Sequence, residues 1–170
     1  MAYITNYDSP IGSILLISNG DALTGLLLPT QVEKSLDPMA YLQKDDLHVF
    51  TLTKEYLDAY FKGETPKSIP PLAFSASSFK ELVWFELLKI PYGETISYGE
   101  LAKRVALVRG TSFMSARAVG HAVGKNPISI IVPCHRVIGH RGRLVGYGGG
   151  LALKRQLLEI EGHVIKTYKD

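Results

Sequence analysis

A single cysteine, Cys134, stands in a chain of 170 residues. No intramolecular disulfide can form, and no thiolate-rich zinc site can be assembled. The fold must therefore be held by buried apolar surface. The chain has the material for this: 46% of its residues are hydrophobic and 21% charged. That is ordinary globular usage, and it excludes disorder, collagen and coiled coil. The length allows one domain, or one substantial domain with a small companion. No apolar run approaches the ~18 residues of a membrane span; the longest are 11–18 and 23–28. The first ten residues, MAYITNYDSP, show no basic stretch followed by an apolar one, so no secretory signal is expected. Together with the cysteine usage, this points to a reducing cytoplasm.

The net charge of +3 hides an asymmetry. Residues 1–80 hold 6 Lys/Arg against 9 Asp/Glu, whereas residues 81–170 hold 13 against 7. A basic half beside an acidic half suits a polyanionic partner for the second half. It equally suits a solvated basic face, and charge alone leaves both open.

The first thirty residues read as an antiparallel meander, with β-rich runs at 3–7, 12–18 and 22–28. Asp8-Ser9-Pro10 and Asn19-Gly20-Asp21 separate them, because Asn and Gly tolerate positive φ and Pro fixes it. Residues 31–46 read as loop with a short helix. Residues 53–61 space Tyr56, Leu57, Tyr60 and Phe61 as a helix, and Lys62-Gly63 ends it. Three prolines within 65–73 mark a boundary. The division is thus 1–75, a small α/β support domain, and 76–170, a mainly helical domain.

In the second domain, Ser77 or Ser78 opens a helix to Lys89, which Pro91-Tyr92-Gly93 stops. Ser97 and Glu100 form a capping box for a helix over 98–105. After a loop around Arg109-Gly110-Thr111, Ser112 or Ser115 opens a second helix to Gly124. Residues 129–132 read as a short buried strand and 142–147 as another. The last helix, 151–160, ends at Glu161-Gly162.

The densest chemical signal is Pro133-Cys134-His135-Arg136. A thiolate is the nucleophile, and a neighbouring His⁺ or Arg lowers its pKa, while a neutral His can instead take the thiol proton. Neighbouring side chains on an extended strand point apart, so a basic role for His135 requires the backbone to turn there. A free cysteine is also an ordinary small hydrophobe in a core, and spacing alone leaves both readings open. The second signal is helix, turn, helix over 98–124, a pattern that can seat its second helix in a DNA groove. That helix is built from Ala116, Ala118, Gly120, Ala122 and Gly124, with Arg117 among them and no acidic residue at i±3 or i±4.

These segments, taken in order, resemble one family. Ile96-Ser97-Tyr98, Ala116-Arg117-Ala118-Val119-Gly120, Asn126-Pro127, Ile131 to Ile138 with its Pro-Cys-His-Arg core, Tyr147-Gly148-Gly149-Gly150-Leu151 and Glu161-Gly162-His163 are similar to the O6-alkylguanine-DNA alkyltransferases. The match spans roughly 78–170. The fold this implies is α/β: a small N-terminal antiparallel sheet with a flanking helix (ribonuclease H-like), then a helical domain with a helix-turn-helix. The implied activity is direct alkyl transfer from O6-alkylguanine in duplex DNA to Cys134, once per molecule, with the damaged nucleotide flipped out. Activity on O4-alkylthymine stays open.

The resemblance also implies roles by position. Cys134, His135, Glu161 and Tyr98 would be catalytic. Arg117, the finger that fills the gap left by the flipped base, would meet DNA with Ser115, Ala116, Ala118, Gly120 and Arg136. Asn126 would be a hinge. Pro133, Val137, Tyr147, Gly148 and Lys154 would form the substrate pocket, with Lys154 at its rim. No metal or other cofactor is expected, and the partner is double-stranded DNA, not a membrane. The expected state in solution is a monomer, with cooperative binding along DNA left open. The stretch between Tyr98 and Arg117 is several residues longer than the family usually shows, and residues 106–113 are expected to absorb the excess.

Overall fold

The computed structural model describes residues 2–34 and 37–165. The stretch 31–46 and the end of the second domain therefore extend in part outside the described residues. The chain forms two compact units, Met1–Phe74 with Pro127–Ser129, and Ser75–Asn126 with Ile130–Asp170.

In the first unit, β1 (Ala2–Ser9), β2 (Gly12–Ser18) and β3 (Leu23–Leu27) form the expected meander. The Asn19 side chain accepts from the N–H groups of Asp21 and Ala22, both at 2.9 Å, closing the second turn. A fourth strand, β4 (Tyr41–Gln43), lies parallel to β1. The sheet order is β3-β2-β1-β4, so the sheet is mixed where an antiparallel one was expected. The three-residue β4 falls where loop with short helix was expected, just after 3₁₀ turns at Pro29–Lys34 and Pro38–Ala40.

The helix α1 (His48–Phe61) starts five residues before the expected 53. Its buried side chains, Val49, Phe50, Thr53, Tyr56, Leu57 and Tyr60, recur at helical spacing and cover one face of the sheet. The outer edge of β3 is capped twice. Leu23 exchanges backbone bonds with Pro71 and Ala73 (2.8 and 3.0 Å), and Leu26 with Pro127 and Ser129 (2.9 and 3.3 Å). Both contacts satisfy edge groups that would otherwise invite another strand.

In the second unit, α2 (Ser78–Leu87) is capped by Ser77, whose Oγ accepts from Lys80 N–H. The helix α3 (Tyr98–Arg109) follows β5 (Ile96–Ser97), and Ser97 Oγ accepts from Glu100 N–H at 3.0 Å. The expected helix ended at 105, so the extra chain adds a turn of helix before it adds loop. Gly110 (φ +78°) stops α3: its N–H bonds Leu107 O, and Thr111 N–H bonds Ala106 O, the Schellman pattern.

Ser115 opens α4 (Ala116–Gly124), and the Trp84 indole on α2 donates to Ala122 O at 2.9 Å, anchoring α4 from beneath. β6 (Val137–Ile138) pairs in parallel with β5. The helix α5 (Leu151–Ile160) ends as expected. Among the described residues no helix is long and apolar enough to cross a membrane.

Two expected strands are absent. Residues 129–132 are buried but form a turn. Ile130 sits at φ +72°, in the left-handed region that a strand cannot use and that a β-branched residue rarely adopts. Residues 142–147 are irregular and follow a 3₁₀ turn at His140–Gly142.

Candidate active site

Cys134 is delivered by two successive tight turns. Pro133 (φ −83°, ψ 64°) is the centre of an inverse γ-turn in which Cys134 N–H donates to Val132 O at 2.8 Å. The proline ring sets that φ in advance. Cys134–Arg136 then form a 3₁₀ turn, the sharp bend that a role for His135 beside Cys134 requires. Asn126, just beyond α4, spans the same segment. Its Nδ2 donates to Val132 O at 2.8 Å and to Cys134 Sγ at 3.2 Å. One amide group thus ties the end of α4 to the thiol-bearing turn.

Around this turn lies a buried polar cluster. His135, Arg136, Lys154 and Glu161 are all under a tenth exposed. Glu161 Oε2 pairs with His135 Nε2. Oε1 accepts from Arg136 Nε at 2.8 Å and from Gly93 N–H at 2.9 Å. Arg136 Nη1 donates to Ile90 O at 2.7 Å, and its guanidinium lies over the Tyr92 ring. Burial alone would raise the Glu161 pKa. The hydrogen bond and charge of His135, with Arg136 behind them, outweigh burial and hold it at about 2. An ionised Glu161 can only accept, so the neutral imidazole carries its proton on Nε2 and keeps Nδ1 as the basic nitrogen. Burial pushes the His135 pKa down against the pull of Glu161, which favours that neutral form.

Burial raises the Cys134 thiol pKa, while the Asn126 amide, the Lys154 charge and the Tyr147 side chain oppose it. Cys134 is therefore a thiol that needs a base, rather than a standing thiolate. Lys154 is fully buried; its Nζ donates to Val145 O at 2.9 Å and Gly146 O at 3.4 Å and stands over the Tyr98 ring. Burial lowers its pKa to about 8. The expected rim lysine is thus an interior brace for the 145–146 segment. Tyr98 opens α3, and its hydroxyl contacts the same carbonyls at 3.4 Å. Burial, with Cys134 second, raises its pKa to about 12. Tyr147 is half-buried and Gly148 exposed beyond it, while Pro133 and Val137 are buried.

The expected DNA face divides. Ala116, Arg117 and Ala118 are exposed, as are His121, Gly124 and Lys125 further along the same side. Gly120 is half-buried and turned toward Tyr98: a Cβ there would lie in ordinary contact with the ring, at 3.5 Å. Ser115 spends its hydroxyl on the helix, accepting from Arg117 and Ala118 N–H at 3.1 and 3.3 Å. Arg136, also expected at DNA, is 4% exposed and committed to Glu161 and Ile90, so it is interior. Sequence reasoning missed Gly93 and Ile90, whose backbone groups complete the cluster. The turn residues Pro91-Tyr92-Gly93 signal a helix stop, and nothing in them signals a carboxylate 68 positions on. No group of three or more His, Cys, Asp or Glu able to hold a metal ion occurs among the described residues.

Comparison with known proteins matches this arrangement to one family over nearly the whole chain. Residues 2–75 match the family model described as "6-O-methylguanine DNA methyltransferase, ribonuclease-like domain", and residues 78–163 match the "DNA binding domain" of the same methyltransferase. A Mycobacterium leprae protein named methylated-DNA--protein-cysteine methyltransferase is 44% identical over 167 residues, 98% of this chain and 96% of the relative. A Haemophilus influenzae protein of the same name is 40% identical over 160 residues, 94% of this chain and 86% of the relative. The crystal structure of Mycobacterium tuberculosis OGT in complex with DNA superposes with a TM-score of 0.81 at 43% identity, covering 94% of this chain and 92% of that one. The chain belongs to the 6-O-methylguanine DNA methyltransferase family.

Proposed function

We propose that this protein repairs duplex DNA by moving the alkyl group of O6-alkylguanine onto Cys134, once per molecule. Sγ attacks the alkyl carbon, the carbon–O6 bond breaks, and its electron pair stays on the guanine. The guanine takes up a proton and is restored. The thiol proton leaves toward His135, whose basic Nδ1 is set by Glu161 on the opposite nitrogen, the nucleophile–base–orienter logic of other relays. A thioether has no hydrolysable bond, so the protein is spent. The observation that carries this reading is a buried thiol, held by Asn126, on the same 3₁₀ turn as a histidine that a carboxylate orients.

A methyl carbon inside a base-paired stack is out of reach, so the nucleotide must be flipped, at a cost of a few kcal/mol. The exposed side of α4 is suited to the minor groove: Ala116 and Ala118 permit close approach, and the Arg117 guanidinium can stack and hydrogen-bond where the base was. Tyr98 contacts the flipped guanine at N3 and crowds its phosphate, and Tyr147 and Gly148 edge the pocket. Residues 76–170 recognise and react, and residues 1–75 support them. The protein acts in the cytoplasm and is a monomer in solution.

Incubation with duplex DNA carrying O6-methylguanine, followed by intact-mass measurement, tests the reading. One methyl group is gained per chain and kept. An unchanged mass, or repeated turnover, contradicts it.

A further inference from the structure

Four residues, Thr111 to Met114, join the Schellman end of α3 to the N-cap of α4. The bend is braced: Thr111 Oγ1 donates to Phe113 O at 3.2 Å, and at the end of α3 the Arg109 guanidinium sits over the Phe79 ring. On this fixed support, large apolar side chains face outward. Phe113 is 76% exposed, Leu107 82% and Val108 52%. Leu107 and Phe113 line a groove of about 580 Å³, together with Lys103, Ala106, Met114 and Ala116. Grouped exposed apolar residues of this kind mark an interaction surface.

Two features indicate the occupant. Ala116, the first residue of α4 and the chain neighbour of the exposed Arg117, lines the groove. Its surroundings are also one-sidedly basic. Between Tyr98 and Asn126 the only acid is Glu100, against Lys103, Arg104, Arg109, Arg117 and Lys125. A second copy of such a face would be repelled, whereas a polyanion is attracted.

We propose that this turn is part of the DNA interface and that Phe113 is an apolar wedge, pressed into the minor groove beside the site addressed by Arg117. The inference rests on the reading of α4 as the DNA-facing helix. Exposed phenylalanine, leucine and methionine are the side chains that minor-groove proteins insert between base steps. A wedge here props open the stack next to the nucleotide to be flipped.

The test compares wild type, Phe113→Ala and Phe113→Trp in three measurements: affinity for a lesion-bearing duplex across a salt series, methyl transfer from that duplex, and benzyl transfer from free O6-benzylguanine. The Ala variant is expected to lose roughly five- to tenfold in duplex affinity and rate, in the range of one base–aromatic stacking contact. Its salt slope stays the same, because no phosphate contact is removed. Phe113→Trp restores most of the loss, and the free-base reaction changes less than twofold. Unchanged duplex affinity and rate in Phe113→Ala overturn the proposal, as does an equal loss on the free base. A loss confined to crowding of several molecules on long DNA also overturns it, since the patch would then meet a second copy. Failure of wild type itself to take methyl from the duplex overturns the underlying reading instead.

Discussion

Two regions of the second unit use the same residue types in opposite surroundings. The outer side of α4 presents Arg117 and His121 to solvent; the Cys134 turn encloses His135 and Arg136 among Glu161, Gly93 and Ile90. On the exposed side, charges are screened within about 8–10 Å at physiological salt and their side chains are free to find a partner. In the enclosed cluster Glu161 is paired with His135 and Arg136 and every charged group is hydrogen-bonded, so its geometry is fixed and salt reaches it little. Recognition of a charged polymer suits the first arrangement. A proton transfer that needs one tautomer and one orientation suits the second. Arginine alone therefore does not signal DNA contact; what surrounds it decides.

The enclosed region should give the largest effects. Cys134→Ser abolishes transfer while duplex affinity stays within about twofold, because α4 and its cations are untouched. Residual methyl transfer by the Ser variant would remove Cys134 as acceptor. Glu161→Ala comes next, since it strands a buried guanidinium. Breaking one side of a buried pair costs about 3–5 kcal/mol, readable as a lower urea midpoint.

The pH dependence follows from the same carboxylate. Its pKa is about 2 in the fold against 4.5 ordinarily. Its contribution to stability is complete above about 4.5 and is lost as pH falls toward 2. His135, lowered from 6.5 by burial, works in the same direction and loses its contribution as pH falls below 6.5. Glu161→Gln should flatten the acid limb of a stability-against-pH curve; an unaltered limb would place the acid sensitivity elsewhere.

Local features of both regions were legible in the sequence, and long-range ones were not. The cap Ser97 is read within three residues of where it acts; for the other two helices the sequence offers Ser77 or Ser78 and Ser112 or Ser115, and the structure uses Ser77 and Ser115. The bend at Pro133-Cys134-His135 followed from what a basic His135 would require. The run at 129–132 looked like a strand because a buried turn and a buried strand both select apolar, β-branched residues. Only the φ of Ile130 separates them. β4 is three residues long and paired across nearly forty positions, too short for any periodicity. The resemblance implies Arg136 at DNA and Lys154 at the pocket rim; the partners that hold them inside are Glu161, 25 residues from Arg136, and for Lys154 the carbonyls of Val145 and Gly146.

The exposed region should give smaller effects. Ser115→Ala removes the acceptor for two N–H groups at the start of α4 and should cost about 1 kcal/mol of stability, shown by a shifted unfolding midpoint. An unchanged midpoint would mean that water replaces the cap. Duplex affinity should also fall steeply between 50 and 200 mM salt, whereas benzyl transfer from the free base should hardly change.

The contrast between the regions is tested most directly by one paired rate measurement on Arg117→Ala and Glu161→Gln. Methyl transfer from duplex DNA is set beside benzyl transfer from free O6-benzylguanine. On the proposed finger role, Arg117→Ala should slow the duplex reaction by about 10- to 100-fold, part of the few kcal/mol that flipping costs. It should barely slow the free-base reaction, which needs no flipping. Glu161→Gln should slow both by similar factors, because both pass through Cys134. Equal losses on duplex and free base for Arg117→Ala would contradict the account and assign Arg117 to holding the Cys134 pocket.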